Sequence, residues 1–205
     1  MFFVETLLQP TYLYKSLIKI LTFLSCVFVY YSYHKETSIA NILSVKSKKQ
    51  LLFSLLLGAG VYVTIIGIYV ISKSLIDLDN ISLSLMGKEN VSKDNFLYVS
   101  LYISIINSFL EELFFRGFAF IELKKYCGIV FAWVFSATVF AIYHIAIMSS
   151  WFSTGLFMVI FISLILAGGL FNYLDKNNTI LNSWLVHMGA NLGINTIGFI
   201  MFELI

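Results

Sequence analysis

Six long apolar runs decide what this chain can fold into. They cover positions 16–33, 51–76, 96–123, 127–148, 151–173 and 180–204. A helix that crosses the hydrocarbon core of a bilayer needs about 20 mostly apolar residues. A membrane β-barrel would instead show segments of about ten residues that alternate in hydrophobicity. The runs here are continuous, so the expected class is all-α, a polytopic transmembrane bundle of about six helices.

Composition agrees. Of the 205 residues 60% are hydrophobic and 12% charged, and mean hydropathy is +0.91. A soluble domain carries about 25% charged residues, so this chain lacks the polar side chains to cover itself in water. The net charge is +2, and no basic segment interleaves with aromatics, which argues against a nucleic-acid partner. The lipid bilayer is the expected surrounding. Cys26 and Cys127 lie in separate apolar runs with no partner at metal-ligand spacing, and read as buried thiols packing like small hydrophobes. Lys15 and Lys19 precede the run LTFLSCVFVYYSY, but no small-residue cleavage site follows. This reads as a retained first membrane helix, with Lys19 snorkelling to the interface. Neither end carries a lipidation signal.

Between the runs, positions 77–94 are polar enough for a loop, and SKDN at 92–95 resembles a helix start. A very tight turn is expected at Ser149 and Ser150, and the single proline, Pro10, precedes the first run. Gly58-Ala59-Gly60 suits either close helix packing or a flexible point. The chain divides into N-terminal membrane helices and loops (1–95) and a C-terminal four-helix core (96–205). With six spans, loops one, three and five hold Lys35, Lys46, Lys48, Lys49, Lys124, Lys125 and Lys176. The other side holds Lys15, Lys19, Lys73, Lys88 and Lys93. The positive-inside rule then places the SVKSKK loop in the cytoplasm and the N-terminus outside.

The third run contains NSFLEELFFRGF, 107–118. Glu111, Glu112 and Arg116 stand where each charge costs about 2.5–3.5 kcal/mol at mid-membrane. Three ionised, unpaired groups would cost on the order of 8–10 kcal/mol. Pairing of Glu112 with Arg116, four residues apart, reduces that cost, as would an interfacial position or a protonated carboxyl. At about 100° per residue, Ser104, Asn107, Ser108, Glu111, Glu112 and Arg116 form one polar stripe, which should face a bundle interior or a wet cavity.

Two further runs carry FAIYH (140–144) and HMGAN (187–191). His187 and Asn191 share a helix face and Asn195 continues it, while Gly189 and Gly193 offer another face to a close neighbour. His34, beside Lys35, lies in a loop. Each of the two motifs alone is compatible with ordinary interhelical hydrogen bonding. Together, two histidines, two glutamates and an asparagine on three apolar helices have little to bind but each other, water, a metal or a substrate. A carboxylate near a neutral imidazole can activate water. A second imidazole and a carboxamide can donate to an oxyanion. Glu111, His144 and His187 are equally the ligand types of a divalent metal such as zinc. Neither HExxH nor GxSxG is present, and no aspartate lies within a run.

EELFFR (111–116), FAIYH and HMGAN, in that order, resemble the EExxxR, FxxxH and HxxxN motifs of the CPBP family. This is the family of CAAX proteases and bacteriocin-processing enzymes, also called Abi or type II CAAX prenyl endopeptidases. The resemblance spans roughly 98–201. It implies an intramembrane endopeptidase acting on a hydrophobic or lipidated peptide, in bacteriocin processing, self-immunity or CAAX-type processing. By the same resemblance Glu111 with His144 activates water, His187 and Asn191 hold the oxyanion, Glu112 and Arg116 complete the site, and Phe140 touches substrate. Metal-dependent and glutamate mechanisms are both compatible with it. The proline-poor, Lys/Ile/Asn-rich composition is compatible with a low-GC bacterium, and the expected location is a bacterial inner membrane. Two other readings of buried Glu and His remain: a non-enzymatic immunity or sensor-kinase regulatory protein, and a proton-coupled transporter.

Overall fold

The computed structural model describes residues 11–34, 38–148 and 151–205. Among them every regular element is helical and no strand occurs. The helices are α1 (Tyr12–Tyr33), α2 (Ile39–Ile42), α3 (Lys48–Ser72), α4 (Leu78–Ser84), α5 (Phe96–Cys127), α6 (Ile129–Met148), α7 (Thr154–Leu174) and α8 (Leu181–Met201). The expected turn at Ser149 and Ser150 lies outside the described residues, as do Pro10 and Lys35.

Tyr12–Tyr33, Lys48–Leu75, Phe96–Cys127 and Thr154–Leu174 are long and apolar enough to cross a membrane. Helices α6 and α8 occupy the other two expected spans. The apolar part of α6, Ile129–Ile145, is shorter. Helix α8 has 21 residues, but its asparagines and His187 dilute its hydropathy. The chain is a multi-pass membrane protein with an all-α bundle.

Helix ends alternate as successive spans require. At one end Gln50 Nε2 donates to the Leu174 carbonyl at 2.8 Å, Lys124 Nζ to Asn178 Oδ1 at 2.7 Å, and the Ile180 N–H to the Ile42 carbonyl at 2.9 Å. This joins the loops after α1, α5 and α7. At the other end Lys15 pairs with Glu89 at 2.5 Å and Lys93 donates to the Glu203 carbonyl at 3.0 Å.

The outer surface is apolar: Leu21, Phe28, Leu56, Val63, Ile71 and Leu166 are all exposed. The buried set is rich in polar groups, among them Ser104, Ser108, Glu111, Glu112, Arg116, Asn172 and His187. Lipid solvates apolar side chains, so a membrane bundle gains little by burying them and much by pairing polar groups inside. The same reasoning corrects the reading of the cysteines. Cys26 and Cys127 are exposed and unbridged rather than buried, and the Cys26 thiol, midway along an apolar helix, has no need of the protein core when its surroundings are hydrocarbon. Another correction falls on 77–94, which is not all loop. Asp77 Oδ1 accepts from the Asn80 N–H at 2.9 Å and starts α4, which runs on through a π turn at Leu85–Glu89.

Helices α3 and α8 meet backbone to backbone. A Cβ on Gly189 would lie 2.3 Å from the Gly58 carbonyl oxygen, and one on Gly58 would lie 2.8 Å from that of Leu185. Gly193 faces Ile65. The Gly58 cluster is thus a packing feature, and α3 is the close neighbour that the glycine face of α8 admits.

Candidate active site

Helix α5 is the spine of the site. Its central turn, Ser108–Glu112, is α-helical, but Tyr102–Asn107 and Leu113–Glu122 on either side are wound as π-helix. Such segments are frequent at functional sites. The 100° step expected along the whole helix therefore holds only locally. Neighbouring helices add side-chain donors to carbonyls of this helix. Helix α8 does so along the first π segment and just before it. Asn195 Nδ2 donates to the Ser100 carbonyl at 3.1 Å, Asn191 Nδ2 to Ile103 at 3.1 Å, and Trp184 Nε1 to Ile105 at 3.1 Å. Ser136 of α6 serves the second, donating to the Phe115 carbonyl at 2.8 Å.

The polar stripe of α5 points inward as expected. Glu111 is 2% exposed, and Glu112 and Arg116 are fully buried. Arg116 Nε lies 3.2 Å from Glu112 Oε2. Its guanidinium carbon stands 4.1 Å from the centre of the Phe140 ring and 4.8 Å from that of Phe171. Phe140 is 2% exposed and also packs edge-on against His144 and His187. The ring expected to touch substrate is thus enclosed, and it holds the cation and both imidazoles in place. Asp175, between α7 and α8, accepts from the N–H and hydroxyl of Ser183 at 3.1 and 2.5 Å. Burial pushes its carboxyl up and the neighbouring Glu112 charge adds to this, while Ser183 and Arg116 act against both.

The three motifs converge. His187 Nδ1 lies 2.7 Å from Glu112 Oε1, and His144 Nδ1 lies 2.8 Å from the Phe140 carbonyl. Both partners are acceptors, so both rings carry the proton on Nδ1. Both Nε2 atoms then present lone pairs, and both face Glu111 Oε2, at 3.7 Å from His144 and 3.5 Å from His187. That oxygen is buried and has no hydrogen-bond partner. The distances exceed a direct hydrogen bond and suit a small molecule held between the three groups.

This tautomer bears on the oxyanion role expected of His187, which can donate from Nε2 only after taking up a proton. Asn191 sits one turn further along α8, and its bond to the Ile103 carbonyl uses one of its two amide N–H groups. Among the described residues no group of three or more His, Cys, Asp or Glu side chains is arranged to hold a metal ion. The other oxygen of Glu111 is already paired with an ammonium group.

That ammonium belongs to Lys19 of α1, which sequence reasoning sent to the interface. It is 5% exposed, and its Nζ donates to Glu111 Oε1 at 2.5 Å and to Asn107 Oδ1. The signal was present, since a lysine inside an apolar run needs a partner as much as a glutamate does. The partner lies 92 residues away, and no local pattern names it. The four ionised groups thus form two neutral pairs, Lys19 with Glu111 and Arg116 with Glu112.

A multi-pass bundle holding a buried carboxylate between two imidazoles has the equipment of a hydrolase that works inside a bilayer. The family model described as Rce1-like, type II CAAX prenyl endopeptidase, matches residues 93–193, which include Glu111, Glu112, Arg116, His144, His187 and Asn191. Over this segment the chain is similar to the CAAX-type intramembrane endopeptidases. No curated protein and no solved structure matches it.

Proposed function

We propose that the chain hydrolyses a peptide bond in a hydrophobic or lipidated peptide within a bacterial membrane, using water activated by Glu111. The observation that carries this reading is Glu111 Oε2, buried, without a partner, and facing two imidazole lone pairs. A water there donates one proton to Glu111 and the other to His144, leaving its oxygen lone pair for the scissile carbonyl. As the C–O bond forms, one proton passes to Glu111 and the carbonyl oxygen becomes an oxyanion. The second N–H of Asn191 serves that oxyanion. The C–N bond then breaks, and the proton held on Glu111 goes to the departing amine. Arg116 and Phe140 act through Glu112 and His187 by fixing the ring. Processing of a bacteriocin-like or CAAX-type peptide is the role this chemistry suits, the membrane itself delivering the apolar substrate.

The test is cleavage of a hydrophobic peptide library by protein purified in nanodiscs, with and without a chelator. Glu111→Ala abolishes cleavage per folded molecule, although the unpaired Lys19 it leaves lowers stability by about 3–5 kcal/mol, and the chelator leaves wild-type turnover unchanged. Turnover by Glu111→Ala at the wild-type rate removes the base and the reading with it. A non-enzymatic regulator would keep its biological effect in Glu111→Gln, and a transporter would show Glu111-dependent proton flux in liposomes.

A further inference from the structure

We propose that Lys19 is a positioning residue of the catalytic centre, supplied by the first membrane helix; the inference rests on the peptidase reading above. Lys19 lies outside the family-matched segment, which begins at residue 93. Helix α1 buries Ser16, Lys19, Phe23 and Val27, spaced as one face of a helix. That face lies against α5 and sets the ammonium beside Glu111.

The contacts of Lys19 explain why Glu111 offers one oxygen and not two. Oε1 receives Lys19 Nζ at 2.5 Å and Asn107 Nδ2 at 2.9 Å, whereas Oε2 receives nothing from the protein. Lys19 also donates to Asn107 Oδ1, so lysine, asparagine and glutamate form a closed triangle that fixes the carboxylate plane. The ammonium further lies 4.6 Å from the centre of the Tyr143 ring and 5.6 Å from that of Phe23. Tyr143 precedes His144, so the same cation touches the helix that carries the second imidazole.

The charge has a role beyond geometry. During attack the negative charge leaves Glu111, as it takes the water proton, and appears on the substrate oxyanion a few ångströms away. A cation in contact with Glu111 offsets the cost of holding that ionised base in apolar surroundings before the transfer. A neutral donor at position 19 could preserve the hydrogen bond but would lose this effect.

The experiment compares wild type, Lys19→Arg, Lys19→Gln, Lys19→Met and Glu111→Ala in nanodiscs, measuring kcat, KM and thermal midpoint on one hydrophobic peptide. Lys19→Gln and Lys19→Met are expected to lower kcat about hundredfold with KM changed less than about twofold. Lys19→Arg, which keeps the cation, is expected to recover at least about tenfold of that loss. Rates are referred to the folded fraction, and if Lys19→Met does not fold, the Gln and Arg variants decide. A wild-type kcat in folded Lys19→Gln overturns the proposal. So does a loss that Lys19→Arg fails to recover, or one confined to KM or to the thermal midpoint. If Glu111→Ala is inactive while Lys19→Gln is fully active, only this inference fails. If Glu111→Ala is active, the peptidase reading fails first.

Discussion

Gly189→Ala tests whether the contact between α3 and α8 sets the geometry of the site. The new Cβ would stand 2.3 Å from the Gly58 carbonyl oxygen and 2.9 Å from the Gly58 Cα. Ordinary contact begins at 3.4 Å, so the helices must part by about 1 Å. Both obstacles are backbone, and no side-chain rotation relieves them. Overpacking of this kind costs typically about 1–3 kcal/mol. The functional effect should be larger than the loss of stability suggests. His187 lies two residues before Gly189, and its Nε2 is 3.5 Å from Glu111 Oε2. A misplacement of about 1 Å in a catalytic group can reduce the rate about hundredfold. Gly60, on the same helix as Gly58, has nothing within 4 Å of its would-be Cβ, so Gly60→Ala is the matched control. Chemical unfolding in detergent and kcat/KM on a peptide substrate are measured for both variants. Gly189→Ala should lose about 1–3 kcal/mol and about two orders of magnitude in kcat/KM, while Gly60→Ala stays near wild type. A Gly189→Ala protein as stable and as active as the control would refute the argument.

Other expectations follow from the buried charges. Arg116→Met leaves Glu112 without its cation in a site closed to solvent and should destabilise the fold by about 3–5 kcal/mol. The double variant with Glu112→Gln should recover much of that, read by the same unfolding assay. Asp175→Ala removes both bonds to Ser183 at the start of α8 and should cost about 0.5–2 kcal/mol, as loss of a helix cap does. Because burial holds the Asp175 carboxyl above its ordinary range, folding favours its protonated form. Its contribution to stability is fully present below the ordinary carboxylate range and is lost as pH rises through the raised value. Asp175→Asn should flatten that part of a stability–pH curve, and an unchanged slope would count against the assignment.

Sequence by itself determined the class of this protein and most of its centre. Apolar runs long enough to span a bilayer leave the helix as the backbone's main way to satisfy its own polar groups there. Ionisable side chains within such runs are costly enough that each must have a reason. Hence Glu111, Glu112, Arg116, His144 and His187 were legible before any coordinates. Tertiary structure alone decided how they are arranged. The π winding of α5, the Asn191 bond to the Ile103 carbonyl and the enclosure of Phe140 arise from contacts between helices, to which periodicity along one helix is blind. The pairing of Lys19 with Glu111 joins residues 92 positions apart. Its cause is the high energy of an unpaired charge in hydrocarbon, which states that a partner must exist but not which helix brings it.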